Sequence, residues 1–353
     1  MAHVYTLYPY LNKRSTYDVI PANLPADVLP STQEQQTMKA DLSELSKDNV
    51  GDYFKSLKLR HYIEKIIAKN EKHTVTTGVS ITDMQSQQAI VGHNLDTEQF
   101  AASVNKVPVA ALILNDLRSG KLQFDQVLTW QASDVRAGLG VYDQPGAPLQ
   151  ATVKDLLHDL LNPSGNTAVR ILVNQGMGGA AAVNARIAGE LHLQHTYLQP
   201  VDDNRFYLGN STARESLQAM RELLKTDDQY GNFVKSAMAT NIYTDYGVRS
   251  QLAGNEYIVL ANKVGILDDV EGNNRHDVGI VYNTKTHKTY GYSFLNTAPG
   301  QAYNTPTAQA GVSLADMGKG VLRYAGDKPV KASAGAQTFT QSQKTVPEKK
   351  TIY

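Results

Sequence analysis

Residues 100–114 read FAASVNKVPVAALIL, an apolar helical run with one serine and one lysine close to its start. Three residues apart on a helix, Ser103 and Lys106 share a face, and a serine in the first turn stands at the positive end of the helix dipole. Such a placement activates a hydroxyl and stabilises a neighbouring anion. For Lys106 to accept the Ser103 proton near neutrality, its pKa must fall from about 10.4 by roughly 3 units, or about 4 kcal/mol. Partial burial and a second cation nearby are the physical means. Pro108 removes one helical amide donor, which is tolerable so near the helix start.

Spacing alone decides little. With 19 Ser and 22 Lys in 353 residues, chance supplies about one S-x-x-K match, and the pair alone reads as a helix cap and a solvated charge. Two further stretches change the weighing. In LLNPSGNTAVRILV (160–173), Ser164, Gly165 and Asn166 interrupt two helical runs, which alone is an ordinary interhelical turn. In VLANKVGILDDV (259–270), Lys263, Val264 and Gly265 close an apolar strand, and a lysine there is usually a solvated terminus.

Working outward, VGDYFKSLKLRHYIEKIIAKN (50–70) carries apolar residues at helical spacing, and TVTTGVSITDMQSQQAIVGHN (74–94) predicts a β-hairpin. A mostly helical section follows from about Ser103 to Thr240. Three strand-like runs come next, YIVLANKVG, DVGIVYN and KTYGYSFLN, before the amphipathic GVSLADMGKGVLRYAG (311–326). The order predicts an α+β fold: a five-stranded antiparallel sheet flanked by its N- and C-terminal helices, with an all-helical subdomain inserted between the second and third strands. A crevice at the junction is the natural site. Residues 1–48, rich in Pro, Thr, Gln and Asp, read as an extension or linker, 49–326 as the catalytic unit, and 327–353 as a polar tail.

Lys plus Arg and Asp plus Glu number 34 each, which removes the electrostatic case for a nucleic-acid or anionic-membrane partner. No cysteine is present, so thiolate catalysis, disulfides and thiolate metal sites are excluded. The first 25 residues have no apolar run of signal-peptide or membrane-span length, so the chain is expected to be cytoplasmic or to lack its export segment. His192 and His195 form H-x-x-H, but no third ligand accompanies them, and they read as surface residues. No metal or cofactor is expected. There is no G-x-S-x-G elbow, P-loop or dinucleotide fingerprint, and NQGMGGAAAVNARIAG (174–189) reads as a break between helices.

SVNK, SGN and KVG, in that order on a helix start, an interhelical turn and a strand end, resemble the S-x-x-K, S-x-N and K-T-G set of serine β-lactamases and penicillin-binding proteins. The likeness is strongest to class A β-lactamases and their DD-peptidase-like relatives and spans roughly residues 50 to 326. TTGVSITDMQSQQAIVGHN is similar to the family's first hairpin, EQFAASVNK to the segment leading into its nucleophile helix, NPSGNTAVRIL to its S-D-N segment, and STARESLQAMRELL to the helix after its Ω-loop.

The resemblance implies that Ser103 becomes acylated by a β-lactam or a cell-wall D-Ala-D-Ala peptide, with Lys106 as proton acceptor or relay. Ser164 would pass a proton to the leaving amine, Asn166 would hold the substrate's amide side chain, and Lys263 would supply positive charge. The N–H groups of Ser103 and Ile266, the residue after Gly265, would bind the oxyanion. Arg275, just before the next strand, is a candidate partner for a substrate carboxylate, a solvated turn residue being the plainer reading. An extracytoplasmic bacterial location follows from the family alone, and oligomeric state is not indicated.

Two departures stand out. Val264 takes the place of the expected Thr or Ser and removes a hydroxyl that would bind a substrate carboxylate. The stretch LHLQHTYLQPVDDNRFYLGN (191–210) lacks the E-x-x-L-N glutamate that activates the deacylating water in class A enzymes. Asp202 and Asp203 are the candidate replacements, and without a base the acyl group should persist. The rival expectation is a non-catalytic wall-associated binding or scaffold protein that keeps the fold without turnover.

Overall fold

The computed structural model describes residues 47–253, 257–269, 272–300 and 305–326. The expectations for the two tails lie almost wholly outside these residues.

Helix α1 (Lys47–Lys72) leads into β1 (Thr76–Asp83) and β2 (Ala89–His93), the expected hairpin. After the helical insert, β9 (Ile258–Asp269), β10 (Gly272–Asn283) and β11 (Thr289–Ala298) complete an antiparallel sheet in the order β2-β1-β11-β10-β9, followed by the last helix (Thr305–Ala325). The two terminal helices pack together over one face of the sheet. Leu59, Ile63 and Ile66 join Leu314, Met317 and Val321 over Val79, Ile81, Val281 and Phe294, so the 3.6-residue and 2-residue apolar periods meet in one core.

The insert contains α2 (Lys106–Ser119), α3 (Val153–Leu161), α4 (Asn166–Ile171), α5 (Ala180–Glu190), α6 (Ala213–Leu224) and α7 (Gln229–Ala239), which makes the last helix α8. Its core gathers the uninterrupted apolar run Val109–Leu114 with Leu156, Leu160, Val169, Ile187 and Met220. Thr152, Thr212 and Asp228 cap α3, α6 and α7 by accepting an N–H three residues on. Ala261 and Val278 belong to this second core, so the sheet is the shared wall between two apolar layers.

The insert is not purely helical. Three two-stranded ribbons lie within it or at its border: β3 (Gln99–Phe100) with β8 (Asn210–Ser211), β4 (Val127–Thr129) with β5 (Gln150–Thr152), and β6 (Gln199–Asp202) with β7 (Arg205–Tyr207). Segments of two to four residues carry no readable periodicity. Strands β9 and β10 also run further than their apolar patterns suggest, because the polar residues Asn273, Asn274, Arg275 and His276 lie buried within β10.

Candidate active site

The nucleophile candidate stands where the insert meets the sheet edge. Ser103 lies in a single 3₁₀ turn, Ala102–Asn105, that runs directly into α2. Ala102 is held at φ +47°, a left-handed conformation that non-glycine residues enter only when their surroundings impose it. Three contacts impose it here. Ala101 donates its N–H to the Gly209 carbonyl. Gly265 of β9 lies so close that a Cβ there would stand 2.9 Å from the Ala101 carbonyl oxygen and 3.3 Å from Val104 N. The third contact is from His276 on β10, whose Nε2 is 2.9 Å from the Phe100 carbonyl oxygen.

His276 is fully buried, and its Nδ1 accepts the Asn296 N–H at 3.0 Å. A backbone amide can only donate, so Nδ1 is the bare nitrogen and Nε2–H donates to Phe100. Burial pushes the ring's pKa down to about 4, against the opposing pull of backbone contacts to Phe100 and Arg275, so the imidazole is neutral across the physiological range. Asn105, inside the SVNK motif, binds the loop on the other side. Its Nδ2 donates to the carbonyls of Tyr197, Leu208 and Asn210.

Four of the predicted side chains meet behind this turn. Lys106, with no exposed surface, donates from Nζ to the Ser164 carbonyl (2.7 Å), Ser164 Oγ (3.3 Å) and Asn166 Oδ1 (2.7 Å). Lys263, equally buried, reaches the same Ser164 Oγ at 2.8 Å. Burial, and then the charge of Lys106, hold its ammonium well below the usual lysine range, while Asp277 pulls the other way. The second cation expected beside Lys106 is therefore Lys263. Ser164 is itself at φ +67°, a strained position that keeps its hydroxyl between the two amines. Asn166 is 3% exposed, and its Nδ2 donates to the Ala137 carbonyl. Ile266 follows Gly265 on the edge strand, partly buried and in register with Arg275.

The remaining candidates stand elsewhere. Arg275 is not a turn residue ahead of a strand: it is the fourth residue of β10, 8% exposed, ion-paired to Asp268 at 2.7 Å. Asp202 and Asp203 are exposed at the β6–β7 hairpin, and Asp202 accepts from Arg205 Nε and Asn204 N. His192 and His195 are both exposed, and His195 faces Glu98 at 3.0 Å. Among the described residues no group of three or more His, Cys, Asp or Glu could hold a metal ion, and no helix is long and apolar enough to cross a membrane.

Val264, 2% exposed, packs in the cluster that contains Tyr246, Val248 and Leu314. Strand alternation turns it to the opposite face from Lys263. Val264→Thr is accordingly expected to bury a hydroxyl among apolar groups and destabilise by about 1–2 kcal/mol. Thermal melting and adduct formation with penicillin check this: a lower Tm with no faster acylation is predicted, and faster acylation would contradict it.

Sequence reasoning missed Asn105, His276 and two buried carboxylates. Asp143 accepts the N–H groups of Gly140 (2.8 Å), Asn166 (3.0 Å) and Thr167 (2.7 Å), which tie the 138–143 loop to the Ser164 turn. Asp159 of α3 accepts the Val141 N–H at 2.6 Å. The only sequence signal was an acid inside the apolar helix VKDLLHDLL.

A serine at the head of a buried helix, with a Lys–Ser–Lys cluster behind it at the edge of a five-stranded sheet, defines the class as a β-lactamase-like serine hydrolase. The family model described as the beta-lactamase enzyme family matches residues 58–324, and the chain belongs to that family. Solved structures share the fold. A beta-lactamase from Sphaerobacter thermophilus superposes with TM-score 0.64 at 20% identity, covering 76% of this chain and 99% of that one. A beta lactamase from Burkholderia vietnamiensis gives TM-score 0.62 at 22% identity, covering 74% and 96%. A PBP-A mutant in acyl-enzyme complex with penicillin G gives 0.63 at 16% identity, covering 75% and 95%. Comparison with curated proteins gives no significant match.

Proposed function

We propose that this protein is acylated at Ser103 by β-lactams or by cell-wall peptides ending in D-Ala-D-Ala, and that it releases the acyl group slowly. The observation that carries this reading is the Ser164 hydroxyl held by both Lys106 and Lys263. Ser103 Oγ attacks the carbonyl carbon while its proton passes to Lys106 Nζ in the neutral form. The oxyanion is received by the N–H groups of Ser103 and Ile266. When the C–N bond breaks, Ser164 delivers its proton to the departing nitrogen and recovers one from the lysines on either side. Asn166 and the β9 edge at Gly265 hold the substrate, and a peptidoglycan substrate would put the working protein outside the cytoplasm.

Slow release follows from the 191–210 stretch. Its two aspartates are exposed, and Asp202 is turned to Arg205. A water held for attack on an acyl-enzyme needs a poised base beside it, and neither aspartate has the buried setting that poises one. Incubation with a fluorescent penicillin followed by intact-mass measurement over time tests the proposal. An adduct that persists for minutes or longer is expected. Loss within seconds would contradict slow release, and no adduct at all would leave a binding or scaffold protein of the same fold.

A further inference from the structure

Asp159 sits among Leu156, Leu157, Leu160 and Leu161 on α3 and is 2% exposed. A carboxylate in such a place is unfavourable unless it is hydrogen-bonded or paired. Its Oδ1 takes the Val141 N–H, and its main-chain oxygen takes the Gly165 N–H at 2.8 Å. Its Oδ2 is buried with no hydrogen-bond partner. That oxygen fills the space two glycines leave open: a Cβ on Gly165 would stand 1.9 Å from it, and one on Gly140 2.5 Å. The same point above Gly140 lies 2.8 Å from Asp143 Oδ2, so the two carboxyl groups lie close together behind the Ser164–Asn166 turn.

Their settings differ. Asp143 accepts three backbone N–H groups. Asp159 keeps one oxygen without a hydrogen-bond partner close to the Asp143 carboxyl. We propose that Asp159, filling the space behind Gly140 and Gly165, is a positioning residue for acylation whose charge decides how firmly Lys106 keeps its proton. This rests on the acylation reading above.

The charged and titratable groups that act on Asp159 include Asp143 and Tyr142 from the 138–143 loop and Lys106 from α2, with Lys263 of β9 beyond the Ser164 hydroxyl. Asp155 and His158 share its helix. Burial, and then the charge of Asp143, push the Asp159 pKa up to about 6, while the Val141 N–H, Lys106 and the Tyr142 N–H draw it down. Attraction is mutual: if Lys106 favours the ionised carboxyl, the ionised carboxyl favours the ammonium. Near neutrality Asp159 is largely ionised and opposes the loss of a proton from Lys106, the step that readies it to accept one from Ser103.

Asp159→Asn keeps the shape and the acceptor for Val141 N–H while removing the charge. The acylation rate by a fluorescent penicillin, followed from pH 5 to 9, should then rise at lower pH than in the wild type, by about half a unit or more, with Tm preserved. Asp159→Ser, a smaller neutral variant, should move the midpoint the same way. An unmoved midpoint with a uniformly lower rate would mean a purely structural residue and would overturn the proposal. Lysine-¹⁵N NMR reads the Lys106 titration directly and needs no acylation, so it separates the two readings. A midpoint that falls in Asp159→Asn supports the role of Asp159 even in a protein that penicillin does not label, and an unchanged one overturns it.

Discussion

Lys106→Met is expected to slow acylation of Ser103 by about 10³, within the range usual for a lost proton acceptor, while the protein stays folded. The methionine keeps most of the lysine stem, so the apolar packing around the start of α2 survives. What is lost includes the hydrogen bonds donated to the Ser164 carbonyl, Ser164 Oγ and Asn166 Oδ1. What is relieved is the confinement of an amine with no exposed surface beside a second buried lysine. The loss of a donor to two buried acceptors is offset by the end of repulsion between two buried lysines, so the change in folding free energy should stay within about 2 kcal/mol. Rate and stability therefore separate: adduct formation should collapse while thermal melting hardly moves. Undiminished acylation would show that Lys106 is not the proton acceptor.

Gly265→Val should do the reverse and damage both. A side chain at 265 meets backbone, not a flexible tip: its Cβ would lie 2.9 Å from the Ala101 oxygen, 3.1 Å from Val104 Cγ2 and 3.3 Å from Val104 N. The edge strand must move away from the 3₁₀ turn, or the turn from the strand. Overpacking of this kind costs about 1–3 kcal/mol, and a displacement near 1 Å at the reacting centre costs about 10² in rate. Loss of several degrees in Tm with acylation slowed about 100-fold is the expected pair of results. Wild-type acylation in this variant would mean that the close approach of β9 to Ala101 does not position Ser103.

The architecture was legible because its apolar periods are long. The run Val107–Leu117 is buried almost throughout, and Val79, Ile81, Tyr290, Tyr292 and Phe294 fall at every second position of paired strands. The meeting of Lys106, Ser164, Asn166 and Lys263 could be read from three short motifs because their order along the chain carries the information that each lacks alone. The supporting groups were not legible for a common reason. Arg275, His276, Asp143 and Asp159 are polar, and polar residues read as solvated unless something in the sequence marks them as buried. Their partners are main-chain atoms or residues distant in the chain: Phe100 O and Asn296 N for His276, Gly140 N, Asn166 N and Thr167 N for Asp143. Val264 is a different case. The motif treats it as a missing hydroxyl, whereas strand alternation already turns it toward the terminal helices and the core they share with the sheet.

The central claim is that Ser103 is the acylated residue, and mass spectrometry of wild type and Ser103→Ala after incubation with penicillin tests it most directly. Ring opening transfers the whole penicillin, so the wild type should gain one penicillin mass, carried after proteolysis by the peptide that contains Ser103, and Ser103→Ala should gain none. A wild type without an adduct, or an adduct that persists in Ser103→Ala, would contradict the account.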